Sequence, residues 1–264
     1  MHPILLVIGS YSLSSWHFFY FLGSIAAWFS LRFFWKNFHF ENIESLDVLF
    51  FANYLGAYFG ARLLSIVLEA EYRDENFRLI EGMFSFGSMT LYGGILSGII
   101  VSMLLAFFYR IEIMQLADAL CPSAMLGVAF GRIGCFLNGD DYGSPVMNQI
   151  SPPPWAVVFP NLEDEVYRFP VQLFEALLCL FLWGVCCYLS KYFSLKKGIA
   201  STFCIVGYCI GRFILEFYRG DDRGPFLLNL FSPAQIVSML LLTIWAIYLK
   251  KKISQSQLTG PPRL

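Results

Sequence analysis

The stretch GRIGCFLNGDDYG at residues 131–143 closes a strongly apolar segment, and it decides how the rest of the chain is interpreted. Arg132 lies just inside the end of that segment. An arginine within a bilayer costs roughly 2.5–3.5 kcal/mol, so proteins keep one where it faces the bundle interior or water. Gly131 and Gly134 allow a neighbouring backbone or a ligand to approach closely. Three polar residues follow where the chain leaves the membrane: Asn138, Asp140 and Asp141. The stretch therefore indicates a site for an anionic head group at a bilayer surface.

The composition is typical of a polytopic membrane protein. Of the 264 residues, 57% are hydrophobic and only 14% are charged, whereas soluble domains carry about 25% charged residues. A net charge of −1 without a basic block gives no indication of nucleic-acid binding. The seven cysteines fall in or beside apolar segments, so we expect no disulfide framework. No cysteine spacing fits a zinc site, and we expect neither a metal nor a cofactor.

Seven apolar segments are long enough to cross a bilayer, which takes about 20 residues. We therefore predict an all-α polytopic membrane protein with about seven transmembrane helices, at residues 13–35, 46–69, 88–109, 114–137, 170–190, 198–218 and 231–249. No linker or internal repeat divides the chain, so we expect residues 1–264 to form a single integral membrane domain. The loop 138–169 is too long for a tight connection, and we expect it to form a small extracytoplasmic cap between spans four and five.

The lysine and arginine residues predict how the spans are oriented. They concentrate in alternate connections and in the C-terminal tail: Arg32, Lys36, Arg110, Lys191, Lys196, Lys197, Lys250, Lys251, Lys252 and Arg263. The intervening connections are acidic or balanced, and residues 138–169 hold five acids but only Arg168. This distribution places the N-terminus outside, the C-terminus in the cytoplasm, and residues 131–143 at the outer face.

Further charged residues lie inside or at the end of the predicted spans. Arg62 in span two and Asp118 in span four lack a polar neighbourhood, so we expect them to form a structural pair. Arg212, Glu216 and Arg219 in span six are spaced to share one helix face.

Two interpretations of the site arginines are open. Arg132 could pair with Glu216 as a structural lock between helices. We favour a functional role for Arg132 and Arg212, because two arginines near one leaflet against few acids would leave positive charge for a phosphate. Gly207 and Gly211 lie on or beside the face of Arg212 and would permit close helix packing.

The start of span three carries Tyr92, followed by Gly93 and Gly94. An interfacial tyrosine is common in membrane proteins, and taken alone that structural role would be sufficient. The functional alternative is a phenol beside a glycine-lined backbone.

Spans five and seven begin with polar residues that structural roles would also explain. Gln172 and Glu175 lie one turn into span five, where they suit a helix N-terminus. Before span seven, Ser232 is a predicted N-cap, Pro233 the first helical residue, and Gln235 the capping-box partner.

Taken together, these segments resemble the prolipoprotein diacylglyceryl transferase family. Residues 131–143 follow its signature, G-R-x-[GA]-N-F-x-N-x-E-x-x-G, with two changes. Other blocks occur in the family's order: GARLLSIVLEAEY (60–72), EGMFSFGSMTLYGGILSG (81–98), ADALCPSAMLGVAFGR (117–132), FPVQLFEA (169–176), GRFILEFYR (211–219) and FSPAQIVSM (231–239).

The resemblance implies an enzyme of the bacterial cytoplasmic (inner) membrane. Family members move the diacylglyceryl group of phosphatidylglycerol onto the lipobox cysteine thiol of a prolipoprotein signal peptide, releasing glycerol 1-phosphate. Arg132 and Arg212 would be the essential pair, with Tyr92 as a third catalytic candidate. The substrate-binding candidates are Gly93, Gly94, Asn138, Asp140, Gly143, Gln172, Glu175, Glu216, Arg219 and Gln235. Membrane lipids and the two substrates are the implied partners.

Three departures from the family pattern cluster at the site. Tyr92 stands where members usually carry histidine, Cys135 replaces the signature asparagine, and Asp140 replaces the signature glutamate. Asp141 is an additional acid. These changes suit either a divergent transferase or a paralogue with another acceptor. A non-catalytic phospholipid-binding membrane protein is a further alternative, against which the many retained charged groups argue.

Overall fold

Seven long α-helices make up most of the described chain. The computed structural model describes residues 1–8, 11–38, 44–68, 91–221 and 231–258. The helices are α1 (Ser15–Asn37), α2 (Glu44–Leu68), α3 (Leu91–Phe108), α4 (Ile113–Asn138), α5 (Val171–Tyr192), α6 (Ile199–Leu215) and α7 (Pro233–Leu258). Each predicted span corresponds to one of them, and α7 continues beyond its predicted end.

Six of these helices are long and apolar enough to cross a membrane, and α3 contains a shorter apolar segment, Gly93–Phe108. Large apolar side chains such as Phe107, Leu177 and Ile244 remain exposed on the helices. Exposed apolar side chains suit a helix whose surroundings are lipid rather than water. The prediction of an all-α polytopic membrane protein is confirmed.

Among the residues that the structure describes, two short antiparallel sheets accompany the helices. Strand β1 (Ile4–Ile8) pairs with β2 (Tyr11–Ser14), and β3 (Val157–Val158) pairs with β4 (Tyr167–Arg168). The N-terminal hairpin is absent from our prediction. Its first strand, ILLVI, has residues that favour strands, but it lacks the alternation of apolar and polar residues that would indicate one.

The Cα positions group into two compact units, one formed by Leu31–Ala119 and the other by Met1–Ser30 together with Leu120–Leu264. In the first of these units, α2 and α3 approach closely at glycines. A Cβ atom on Gly93 would meet the carbonyl oxygen of Gly60, and one on Gly94 would lie 3.3 Å from the carbonyl oxygen of Ala57. Both candidate glycines therefore pack against α2.

Arg62 and Asp118 also belong to this unit. Both residues are buried, at 0% and 2% exposed. Their burial agrees with a structural role, and their pairing with each other stays a prediction.

In the other unit, glycines bring the helices of the predicted site together. A Cβ on Gly134 in α4 would lie 3.0 Å from the Cβ of Phe19 in α1, and one on Gly207 in α6 would lie 2.5 Å from Leu182 Cδ2 in α5. A Cβ on Gly211 would likewise collide with Leu178. The predicted close packing at Gly207 and Gly211 is confirmed.

A reciprocal pair of hydrogen bonds begins α7. The backbone N–H of Gln235 donates to Ser232 Oγ at 3.3 Å, and the backbone N–H of Ser232 donates to Gln235 Oε1 at 3.1 Å. This is the predicted capping box. Gln235 is 3% exposed. Its side chain helps to start the helix, and its predicted substrate-binding role stays a prediction.

The loop between α4 and α5 folds on itself. The backbone N–H of Val146 donates to Tyr167 O at 2.9 Å, and that of Phe169 donates to Ser144 O at 3.1 Å. The side chain of Gln149 bridges the same two stretches, accepting from Tyr167 N at 2.8 Å. The loop thus forms an ordered segment, and its position outside the cytoplasm stays a prediction.

Candidate functional site

The arginine of the signature stretch lies in a network of ion pairs at the end of α4. Arg132 Nε is 3.0 Å from Glu175 Oε2, and Arg132 Nη1 is 2.5 Å from Asp141 Oδ2. Its side chain is 11% exposed. Because a buried guanidinium needs compensating charge, these two carboxylates explain how α4 retains an arginine within the membrane.

Glu175 joins the arginines of two helices. It lies one turn into α5, and its side chain is 1% exposed. Its Oε1 accepts a hydrogen bond of 2.8 Å from the Tyr208 hydroxyl and lies 3.9 Å from Arg212 Nε. From the sequence, the position of Glu175 near the start of α5 could be explained by helix-end electrostatics alone. In the structure, Glu175 is the carboxylate that Arg132 and Arg212 share.

The second arginine of the predicted pair has its own carboxylate. Arg212 Nη1 lies 2.8 Å from Glu216 Oε2, one turn further along the chain, and both side chains are buried. Our structural alternative paired Glu216 with Arg132, and this was wrong: Arg132 contacts Glu175 and Asp141 instead. The i, i+4 spacing within one chain segment brings Arg212 and Glu216 together at little conformational cost.

The third arginine reaches the site by leaving the helix. Residues 212, 216 and 219 were expected to share one helix face, but α6 ends at Leu215 and a single 3₁₀ turn follows over Glu216–Tyr218. At Arg219 the backbone is extended, with φ −76° and ψ 143°. Its Nη2 then lies 2.5 Å from Asp141 Oδ1 and 2.5 Å from Asp221 Oδ2.

The expected surplus of positive charge is absent from the described part of the site. Three arginines there meet four carboxylates: Arg132, Arg212 and Arg219 with Asp141, Glu175, Glu216 and Asp221. We expected few acids beside the arginines. The chain instead brings Asp141, after α4, to Arg132 and Arg219, and Asp221, after α6, to Arg219. An arriving anion therefore meets guanidiniums that already have partners.

Main-chain hydrogen bonds hold the signature loop against the end of α6. Gly143 forms an antiparallel bridge with Arg219, and the N–H of Gly220 donates to Tyr142 O at 3.0 Å. A Cβ on Gly143 would meet the carbonyl of Phe169 and would lie 2.8 Å from Val171 Cγ2. Glycine is needed at 143 because any side chain there would collide with Phe169 and Val171.

The polar residues after α4 form a second small network. Asn138 Nδ2 donates to Asp140 Oδ2 at 3.0 Å, and Gln172 Nε2 donates to the Asp140 carbonyl at 2.6 Å. The Oε1 atom of Gln172 is buried and, within the described residues, has no hydrogen-bond partner. Gln172 therefore anchors the signature loop to the start of α5.

Two neighbouring aspartates in this loop have opposite pKa shifts. Burial raises the pKa of Asp140 above its ordinary value, although the hydrogen bond from Asn138 opposes the shift. Burial acts in the same direction on Asp141, but the charges of Arg132 and Arg219 outweigh it and lower its pKa to about 2. Burial lowers the pKa of Arg219, and its contacts with Asp221 and Asp141 raise it beyond the ordinary value.

Of the predicted catalytic residues, Arg132 and Arg212 are thus brought together at Glu175. Tyr92 lies in the first turn of α3, and its side chain is outside the described residues. Its catalytic role stays a prediction.

Comparison with known proteins decides the family. A family model described as prolipoprotein diacylglyceryl transferase matches residues 3–250. The chain belongs to the prolipoprotein diacylglyceryl transferase family. The resemblance stated from the sequence is confirmed.

Relatives of the chain in this family match over most of their length. A protein of Legionella pneumophila (strain Lens) is 29% identical over 269 residues, covering 95% of this chain and 98% of the relative. One from Buchnera aphidicola is 26% identical, covering 95% and 96%. One from Bordetella bronchiseptica is 34% identical, covering 69% and 67%. All three are named phosphatidylglycerol–prolipoprotein diacylglyceryl transferase.

Two departures from the family signature of prolipoprotein diacylglyceryl transferases lie side by side. The Cys135 thiol and the carboxylates of Asp140 and Asp141 have potential ligand atoms within 4.8 Å of one another, the one such group in the described part of the chain. Both oxygens of Asp141 already contact guanidiniums. The group is therefore poorly suited to a cation.

The sequence interpretation missed two contributors to this site. Tyr208 lies one turn before Arg212 and donates to Glu175, and Asp221 pairs with Arg219 through both carboxylate oxygens. The spacing of Tyr208, Arg212 and Glu216 at i, i+4 and i+8 was a usable signal. A tyrosine within a span usually serves in packing, so the spacing alone did not identify Tyr208 as a site residue.

Proposed function

We propose that this chain transfers the diacylglyceryl group of phosphatidylglycerol to the lipobox cysteine of a prolipoprotein signal peptide, releasing glycerol 1-phosphate. Membership in the family and the names of the relatives support an enzyme with these substrates. The observation that carries the proposal is the meeting of Arg132 and Arg212 at one buried carboxylate, Glu175.

The reaction forms a C–S bond between the cysteine sulfur and the glycerol carbon that carries the phosphate. The C–O bond from that carbon to the phosphate breaks, and its electron pair goes to the departing glycerol phosphate. Negative charge therefore develops on the phosphate oxygens. Guanidiniums fixed in a site of low dielectric stabilise such charge strongly, because they need no reorganisation during the reaction.

The carboxylates around the arginines supply that fixation. Glu175 orients Arg132 from α5 and lies beside Arg212, and Glu216 holds Arg212 from its own helix. Tyr208 in turn donates to Glu175 and limits its rotation. A long, flexible arginine side chain held at both ends of its guanidinium loses less freedom when substrate binds.

The thiol must lose its proton as it attacks, since the thiolate is the nucleophile. Tyr92 occupies the position where members of the family usually carry histidine, and we assign it to the thiol side of the reaction. With an ordinary phenol pKa of about 10, it serves as a hydrogen-bond donor unless its surroundings favour the phenolate.

The same proposal includes the location of the site. The excess of lysine and arginine in alternate connections supports an N-terminus outside and a C-terminus in the cytoplasm. The end of α4 that carries Arg132 then lies at the outer leaflet of the cytoplasmic (inner) membrane. Phosphatidylglycerol reaches it laterally, and the lipobox cysteine arrives at the same depth.

A reconstituted assay tests the proposal. Purified protein is mixed with phosphatidylglycerol vesicles and a lipobox peptide, and mass spectrometry records the peptide. We expect a mass gain of one diacylglyceryl group, and its loss in Arg132→Ala and Arg212→Ala. Unchanged turnover in both variants would contradict the assignment of these arginines.

The matched control is Arg168→Ala, which removes an arginine of similar exposure (13%) that pairs with Asp164 within the cap. It should retain activity. A wild-type protein that consumes phosphatidylglycerol but leaves the peptide unmodified would replace the proposal with one for a different acceptor.

A further inference from the structure

Asp141 occupies the position between two arginines that an anionic ligand would take. Its Oδ2 lies 2.5 Å from Arg132 Nη1 and its Oδ1 lies 2.5 Å from Arg219 Nη2. A phosphate bound between these guanidiniums would use the same donors, because two oxygens on one centre meet two N–H groups in both cases. The carboxylate therefore stands where a phosphate oxygen pair would bind.

Asp141 is also the most exposed carboxylate of the network. Its side chain is 32% exposed, whereas Asp221 is 16% and the two glutamates are 1–2%. Rotating Asp141 away from the arginines would move its charge towards water. Rotating Glu175 or Glu216 would leave a charge buried without a partner, which is far more costly.

The backbone on both sides of Asp141 is anchored. The Asp140 carbonyl accepts from Gln172 Nε2 at 2.6 Å, and the Tyr142 carbonyl accepts from Gly220 N at 3.0 Å. Asp141 itself has φ of +58°, in the left-handed region. The main chain is thus held, and side-chain rotation is the motion that remains to Asp141.

We infer that Asp141 is an internal competitor for the substrate phosphate: it neutralises Arg132 and Arg219 in the empty site and is displaced when phosphatidylglycerol binds. This inference rests on the proposed function for the identity of the ligand. The exchange replaces one singly charged anion with another, so the charge of the buried network is preserved as the lipid enters. After transfer, the returning carboxylate competes with glycerol 1-phosphate and speeds its release.

The inference predicts that a neutral side chain at 141 tightens the binding of phosphate esters. Asp141→Asn keeps the shape, and asparagine enters left-handed backbone more readily than most residues. Removing one charge at this distance should strengthen the binding of glycerol 1-phosphate about tenfold. Isothermal titration of the purified full-length protein in detergent, with glycerol 1-phosphate alone as probe, measures this. In the transfer assay, KM for phosphatidylglycerol and kcat should both fall, because product leaves more slowly.

Asp221→Asn is the matched control, because Asp221 contacts Arg219 but not Arg132 in the described contacts. Asp221→Asn should change the affinity for glycerol 1-phosphate by less than about threefold, since Asp141 still pairs with both Arg132 and Arg219. If both variants bind glycerol 1-phosphate more tightly by the same factor, the cause is the loss of negative charge in general and not the removal of a competitor at residue 141. That result would overturn the inference. So would unchanged or weaker binding in Asp141→Asn.

Asp141→Gly serves as a second variant if the asparagine protein fails to fold, because glycine adopts positive φ without strain. The titration needs no acceptor peptide, so it separates the two proposals. Tighter binding without any peptide modification would leave the competitor role standing and remove the proposed reaction. Normal transfer with unchanged glycerol 1-phosphate affinity in both Asp141 variants would support the proposed reaction and remove the competitor role.

Discussion

The Tyr208 hydroxyl donates a hydrogen bond of 2.8 Å to Glu175 Oε1, joining α6 to α5 through the carboxylate that Arg132 also contacts. The same face of α6 carries Arg212 one turn later. These four side chains therefore form one contact network: Tyr208, Glu175, Arg132 and Arg212. A change in any of them alters the position of the others.

Tyr208→Phe should lower kcat by about tenfold, because a hydrogen bond to a charged group contributes roughly 1.5–3 kcal/mol and its loss frees Glu175 to rotate. KM for phosphatidylglycerol should change less than kcat. Steady-state transfer kinetics with a lipobox peptide measure both. A kcat equal to that of the wild type would show that Glu175 needs no help from Tyr208.

Glu175→Gln should be more damaging. Removing one partner of a buried ion pair typically costs about 3–5 kcal/mol, and here two guanidiniums lose a shared carboxylate. We expect loss of transfer activity and a clearly lower unfolding temperature in detergent. The control is Glu163→Gln at an exposed position of the cap, which should change neither quantity.

Acid should weaken the network through Asp141. Its pKa in the folded protein is lowered from 3.8 to about 2 by Arg132 and Arg219, against the effect of burial. A lowered folded pKa contributes stability above the unfolded value that is lost as the pH falls towards the folded value. The unfolding temperature should therefore drop between about pH 4 and pH 2, and less so in Asp141→Asn. Asp140, whose pKa is raised by burial, acts in the opposite direction.

Two glycines of the same signature should respond differently to alanine. A Cβ at Gly143 would collide with Phe169 and Val171, whereas one at Gly131 would meet nothing within 4 Å. Gly143→Ala should misplace Arg219 and abolish transfer. Gly131→Ala, within helix α4, should keep or slightly raise the unfolding temperature, since alanine favours a helix by about 1 kcal/mol over glycine. Equal behaviour of the two variants would contradict this difference in packing.

Hydrophobic length predicted the seven long helices of the described residues and their order, since a bilayer requires long apolar segments whatever else they do. The cost of burying charge singled out Arg132 and Arg212. The partners of these arginines were harder to find. Asp141 reaches Arg132, and Asp221 reaches Arg219, only because the chain bends after α4 and α6, and the sequence does not show such bends. A tyrosine within a span usually serves in packing, and the sequence does not show that the Tyr208 hydroxyl faces the Glu175 carboxylate.

The bridge between Gly143 and Arg219 consists of main-chain atoms, apart from the requirement for a glycine. Backbone N–H and C=O groups are the same in every residue, so this attachment tolerates substitution along both segments. The backbone position that places the Arg219 guanidinium beside Asp141 therefore depends little on the identity of the surrounding side chains. Most single substitutions in the two segments should therefore leave Arg219 beside Asp141.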